Sequence, residues 1–215
     1  MRLRDKEIIK DLEKFRCLSR NDIIKLHFQG VKDPINSANR VLRRLRDRGE
    51  IEVITSQAPY VYACKPSPIK RDSQKIPHYL EIVQVYHDMA QIGTPSTFIP
   101  EPKYGKGLPE PDIFTIWGGK PMFIEVQRNT FTSAVWGEKF ARYRTYFHRK
   151  DWMREPWQGK EPVFPWLIIL TQTRIAVPDG LPLKVFQIPG IRHLLHKGAS
   201  AEKVTSKDTK ELMNP

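Results

Sequence analysis

The sequence predicts an α+β chain of two domains, and three observations predict it. Helical apolar periodicity over the first 50 residues gives way to two short strand-like runs. A Pro- and charge-rich stretch then interrupts the pattern. Beyond it, apolar helical segments bracket several short strands, as in a mixed sheet covered by helices. The length of 215 residues fits one or two domains. Forty per cent apolar residues, five of them Trp, are enough for packed cores, and 28% charged residues exclude a disordered polyelectrolyte. The longest near-continuous apolar run, Val163 to Leu170, falls far short of the roughly 20 residues that span a bilayer. The start, Met1-Arg-Leu-Arg-Asp-Lys-Glu, is charged where a secretory signal is apolar, so a cytoplasmic location is expected. Two cysteines, Cys17 and Cys64, are too few for a zinc site or a disulfide framework and are expected as buried thiols.

The elements of residues 1–65 follow in order. Ile8, Ile9, Leu12 and Phe15 recur at helical spacing and give a first helix over about 5–15. Ser19, with Asp22 three residues on, caps a short second helix that carries Ile23, Ile24, Leu26 and Phe28 and stops at Gly30. Asp33-Pro34 supplies a cap and a preset first turn for a third helix, whose apolar stripe is Ala38, Val41, Leu42 and Leu45. Arg40, Arg43, Arg44, Arg46 and Arg48 occupy most of the remaining circumference. Two strands, 51–54 and 60–63, flank the turn-like 56–59. Helix, helix, basic helix, hairpin is the winged-helix order, and the arginines sit where a recognition helix enters the major groove. The competing readings are a solvated arginine face and a protein-interaction module. The formal charge of +12 agrees with a polyanion partner, and residues 1–70 alone carry 16 basic against 9 acidic side chains, a net of +7. Gln57 and Lys65 are candidate wing contacts.

Residues 66–77, rich in Pro and charge, read as a linker, so a second domain is expected over 78–196 and a polar tail over 197–215. Tyr79, Leu80, Ile82, Val83, Val85, Tyr86, Met89 and Ala90 describe a helix that is apolar around most of its surface and therefore buried. Strands are expected at 96–99, 113–117, 122–127, 166–171 and 183–188, with Gly118-Gly119 as a two-residue hairpin turn. A helix over 133–150 carries Trp136, Phe140, Tyr143 and Phe147 as its core stripe. Lys139, Arg142, Tyr146 and Arg149 form a basic and aromatic strip beside it. That strip reads either as a phosphate-tracking surface or as a solvated face.

The hairpin fixes a testable register. With Gly118 and Gly119 in the turn, Trp117 pairs with Lys120, and counting outward sets Asp112 opposite Glu125. Facing carboxylates about 5 Å apart repel unless something neutralises them. A divalent cation would do so, and hard oxygen ligands suit magnesium or manganese. Alternation places Gln127 on the same face, and Glu81 in the buried helix is the natural further acid. The bland alternatives are a strand-starting Asp112, a solvent-facing Glu125 and a helix-edge Glu81. His148, His193 and His196 lack partners at ligand spacing.

Pro111-Asp112 followed by Glu125-Val-Gln127, within a helix, three-strand, helix, strand order, resembles the PD-(D/E)xK nuclease superfamily of restriction endonucleases and junction resolvases. The resemblance implies a PD-(D/E)xK-like domain with Asp112, Glu125 and Glu81 as metal ligands. Gln127 stands where that family carries a lysine; some members supply it from the following helix, where Lys139 is the candidate. The whole chain resembles the narrower replication-relaxation proteins of bacterial plasmids, phages and integrative elements. The likeness lies in the winged helix, His78-Tyr-Leu-Glu81, Pro111-Asp112, Glu125-Val-Gln-Arg128-Asn-Thr130, Lys139 and Tyr143. It implies a role in replication or maintenance of mobile DNA, with double-stranded DNA as the partner; a homodimer is a further candidate, because winged helices and nuclease folds of this type often dimerise. Arg128, next to the acids, and Arg142, on the basic strip, are candidate contacts to the DNA backbone. Two functions follow: a DNA-binding protein with a noncatalytic nuclease-like domain, or a metal-dependent DNA endonuclease.

Overall fold

The computed structural model describes residues 1–56, 58–127 and 132–196. The chain is mixed α+β with two sheets and divides into two compact units, one ending at Gln84 and the other beginning at Val85. No helix among the described residues is long and apolar enough to cross a membrane.

The first unit runs α1 (Leu3–Phe15), β1 (Leu18–Ser19), α2 (Arg20–His27), α3 (Pro34–Asp47), β2 (Ile51–Ile54) and β3 (Val61–Cys64). Its helix starts are set by local chemistry. Ser19 Oγ accepts the Asp22 N–H at 3.1 Å while the Asp22 carboxylate accepts the Ser19 N–H at 3.0 Å, a reciprocal capping box on α2. Asp33 accepts the Asn36 N–H at 3.1 Å and Pro34 opens α3, so a preset φ begins the helix where an N–H is dispensable. Ile8, Leu12, Phe15, Ile23, Ala38, Leu42 and Leu45 are all buried and form the expected apolar stripes. Strand β3 is central, with β1 and β2 antiparallel on either side. The two-residue β1 is too short to leave a periodic trace in the sequence.

Two differences from the sequence reading concern the junction. Helix α4 (Ile76–Ile92) begins inside the stretch that composition marks as linker, and the boundary between the units falls within it. Ile69 and Ile76 are buried with Cys17, Ile54, Val61 and Tyr79. Two isolated apolar residues among prolines and charges are enough to tie this stretch to the first unit's core, although they leave no periodic signal. Cys17 is buried and Cys64 half-buried, and loss of solvation pushes both thiols up, to about 12 and about 11.

The second unit contains β4 (Thr97–Pro100), β5 (Ile113–Trp117), β6 (Lys120–Val126), α5 (Ser133–Arg149), a 3-10 turn (Asp151–Arg154), β7 (Trp166–Leu170), β8 (Val185–Ile188) and α6 (His193–His196). The sheet order is β4-β5-β6-β7-β8. The first three strands form an antiparallel meander, and β7 and β8 add in parallel. Gly118 and Gly119 take φ of 56° and 74°, the doubly left-handed turn that matches strand twist and that glycine adopts without a Cβ penalty. Their pairing sets Trp117 opposite Lys120.

Strand β6 has an antiparallel neighbour on one edge and a parallel one on the other, and its successive residues Met122 to Glu125 are all buried, so both of its faces are covered. On one face Phe114, Phe123, Leu167 and Ile169 pack with Trp136, Phe140, Tyr143 and Tyr146 of α5. Phe123 lies at the centre of this cluster, with ring centroids 5.5 Å from Tyr143, 5.6 Å from Tyr104 and 5.7 Å from Phe114. On the opposite face, the Trp117 indole N–H donates to the Gly93 carbonyl just beyond α4. Phe123→Ala should therefore cost about 3–5 kcal/mol, read as a lowered urea midpoint with little change in slope.

Candidate functional site

The hairpin register runs from Trp117↔Lys120 to Ile113↔Ile124, and its next step sets Asp112 opposite Glu125. The two acids therefore share one face of the sheet, the face covered by α5. The Asp112 carboxylate accepts the Val126 N–H at 2.6 Å, and its carbonyl accepts the Glu101 N–H at 2.8 Å. Both contacts hold it at the point where β5 begins.

Glu125 is only 2% exposed. Its Oε1 accepts the Tyr143 hydroxyl at 2.8 Å, and its Oε2 accepts the Lys139 ammonium. Lys139 and Tyr143 are four residues apart on α5, so one helix face presents both groups to the strand. The Lys139 ammonium also lies 5.5 Å from the Trp136 ring centroid, so an aromatic face flanks the cation. Burial raises the Glu125 carboxyl to about 7, Asp112 adds to the rise, and Lys139 and Tyr143 oppose it. Burial and then the Glu125 charge likewise raise the Tyr143 phenol, which keeps it a hydrogen-bond donor.

The structure thus brings Asp112, Glu125 and Lys139 into one cluster. Gln127 extends the same edge: its N–H donates to the Leu170 carbonyl at 3.0 Å, and its buried Oε1 has no hydrogen-bond partner among the described residues. Glu81 is half-buried on α4 within the first unit. Among the described residues no group of three His, Cys, Asp or Glu side chains gathers around one point. Two carboxylates plus water suffice for magnesium or manganese in general. The donor chemistry of Asp112 and Glu125 suits such an ion, and the ion would compete with Lys139 for Glu125.

The basic elements divide. On α3 and at its C-cap, Arg40, Arg43, Arg46 and Arg48 are exposed, whereas Arg44 is half-buried and donates to the buried Asp5 at 2.6 Å. Arg44 thereby ties α3 to α1. The sequence signal was Asp5 itself, an acid three residues before Ile8 on the buried stripe of α1. Arg46 also reaches its exposed neighbour Asp47 at 3.0 Å, a contact worth little in water.

On α5 the proposed basic and aromatic strip does not form one surface. Tyr146 is 2% exposed, its ring packs 4.8 Å from Tyr104, and its hydroxyl donates to Glu155 at 3.3 Å. Residues 143, 146 and 147 all turn toward the sheet because the aromatic cluster is wider than one stripe. Arg142 lies 3.9 Å from Glu110, Arg149 pairs with Asp151 at 2.8 Å, and Lys139 turns inward. Arg128 and Gln57 lie outside the described residues. No protein-family model, curated protein or solved structure matches the chain significantly.

The buried carboxyl has a pH signature. Its folded pKa lies above the ordinary value of about 4.3, so between about pH 4.5 and 7 the folded chain holds a proton that the unfolded chain has released. Glu125 therefore subtracts stability as pH rises through this window, and the penalty is complete above it. Glu125→Gln should flatten that part of the stability curve. Urea midpoints for wild type and variant at pH 5 and pH 8 check this, the variant gaining relative to wild type at the higher pH.

Proposed function

We propose that the chain is a DNA-binding protein of a bacterial mobile element, acting in the cytoplasm in replication or maintenance of that DNA. In this reading the first unit is a winged helix and the second a PD-(D/E)xK-like domain that is not catalytic. The observation that carries DNA binding is the α3 surface. Its apolar stripe is buried while Arg40, Arg43, Arg46 and Arg48 stand exposed, directly before the β2–β3 hairpin. Four exposed guanidinium groups on α3 and its C-cap supply phosphate neutralisation and bidentate base contacts of the kind a major groove selects. Lys65, which follows β3, is exposed beside the hairpin and extends the same positive surface.

The noncatalytic assignment rests on Glu125. Both of its oxygens are engaged, by Tyr143 and Lys139, so the repulsion between the two facing acids is already relieved by a cation of the protein's own. The mobile-element role rests on the resemblance of Glu125-Val-Gln127, Lys139 and Tyr143 to the replication-relaxation pattern.

A second reading, a magnesium- or manganese-dependent endonuclease, is favoured by one specific contact. Gln127 supplies no positive charge, but the Lys139 ammonium lies on Glu125, where it could stabilise negative charge developing on a phosphate. Asp112 and Glu125 would hold the metal, which when bound would polarise the phosphodiester and activate water.

Two experiments test these readings. The double substitution Arg43→Ala, Arg46→Ala should weaken duplex binding and reduce the slope of log affinity against log salt by up to about 2. Arg44→Ala should instead lower stability by roughly 1–3 kcal/mol, because the buried Asp5 is left without its partner. Unchanged affinity and salt slope in the double variant would remove the α3 interface. Incubation of supercoiled, linear and branched DNA with magnesium or manganese should leave all three intact. Cleavage that disappears in both Asp112→Ala and Glu125→Ala would establish the endonuclease instead.

A further inference from the structure

On the sheet face away from α5, the second unit gathers a cationic and aromatic patch that the proposed duplex interface does not use. Trp166 opens β7 opposite Met122 of β6, and Lys120 lies two residues before Met122, on the same face by alternation. The Lys184 carbonyl accepts the Leu167 N–H at 2.8 Å, which places Lys184 beside the start of β7. The Lys120 ammonium stands 4.7 Å from the Trp166 ring centroid and the Lys184 ammonium 5.4 Å. Phe186, on the adjacent strand, lies 5.3 Å from the same indole, centroid to centroid. Lys120 is exposed, while Trp166, Lys184 and Phe186 are half-buried.

A tryptophan used only as core would be sealed by apolar neighbours. Here two cations, Lys120 of β6 and Lys184 just before β8, converge on one indole at the sheet's rim. Like charges drawn to one place are best compensated by an anion, and a partly open aromatic face suits a planar π-system. Phosphate and nucleobase together meet both requirements, whereas an acidic polypeptide meets only the first. We propose that this patch binds single-stranded nucleic acid, with one base stacked on Trp166 and the flanking phosphates held by Lys120 and Lys184. Base stacking on an aromatic side chain is tolerant of sequence, so the patch would grip an unpaired strand without reading it. This inference does not depend on the α3 interface, which engages duplex through arginines of the other unit.

The test is fluorescence anisotropy of the full chain with a labelled oligothymidylate of about 12 nucleotides, within the site size of single-strand binders. The double substitution Lys120→Glu, Lys184→Glu and the single substitution Trp166→Ala should each weaken binding roughly tenfold or more, and Trp166→Phe should retain most of it. Duplex affinity should change little. A control of equal charge, Lys103→Glu with Lys160→Glu, both exposed and outside the patch, should lose far less single-strand affinity. Should Trp166→Ala not fold, Trp166→Phe and the two lysine pairs carry the comparison. The proposal is overturned if the Lys120, Lys184 variant binds the oligonucleotide like wild type. It is equally overturned if the control pair loses as much affinity, or if polyglutamate competes as well as oligothymidylate, because the lysines would then serve only as a general positive surface or as cover for the indole.

Discussion

The second unit is organised around a carboxylate that its surroundings do not favour. Glu125 lies near the end of a strand whose last residues are covered on both faces, where an isolated charge would be expelled or neutralised. It persists because α5 delivers an ammonium and a phenol to its two oxygens. That requirement fixes much else: the rotation of α5 about its axis, the inward course of the Lys139 side chain, and the packing of Trp136 and Phe140 on the same helix face. A polar network of this kind specifies one arrangement of helix on sheet more sharply than an apolar contact of similar area would.

The first unit solves a related problem at smaller scale. Asp5 is almost fully buried, yet the Arg44 side chain that answers it is 30% exposed. The pair links α1 to α3, so the arginines that remain outward, Arg40, Arg43, Arg46 and Arg48, are presented from a helix tied to its neighbour. One helix thus carries arginines with two separate duties, and their spacing along the chain does not distinguish them.

Much of this was legible in the sequence, because the governing signals are local. Caps at Ser19 and Asp33 marked helix starts, the glycine pair gave the turn and hence the pairing of Asp112 with Glu125, and the apolar period gave the stripes of α1 and α3. What the sequence left open depended on groups far apart in the chain. The Tyr143 hydroxyl could not be separated from its ring's place in the core, because both lie on the same helix face. Lys139 was equally compatible with solvent until α5 was seated on the sheet. Tyr146 was misplaced because a two-dimensional helical projection assumes a stripe of constant width, whereas the aromatic cluster around Phe123 broadens toward the end of α5. Ile69 and Ile76 bury themselves by tertiary contact alone.

The glycine turn also limits how this chain can vary. Adding a single residue to either arm of the β5–β6 hairpin would put the two acids on opposite sides of the sheet, and where the displaced acid is Glu125 it would also lose the Lys139 ammonium that neutralises it. Insertions are therefore tolerable only as matched additions to both arms that preserve parity, or as loops placed beyond the strands. Variation in hairpin length among descendants of this sequence should come in steps of that kind, and a lone insertion there should be accompanied by loss of one acid or of the lysine.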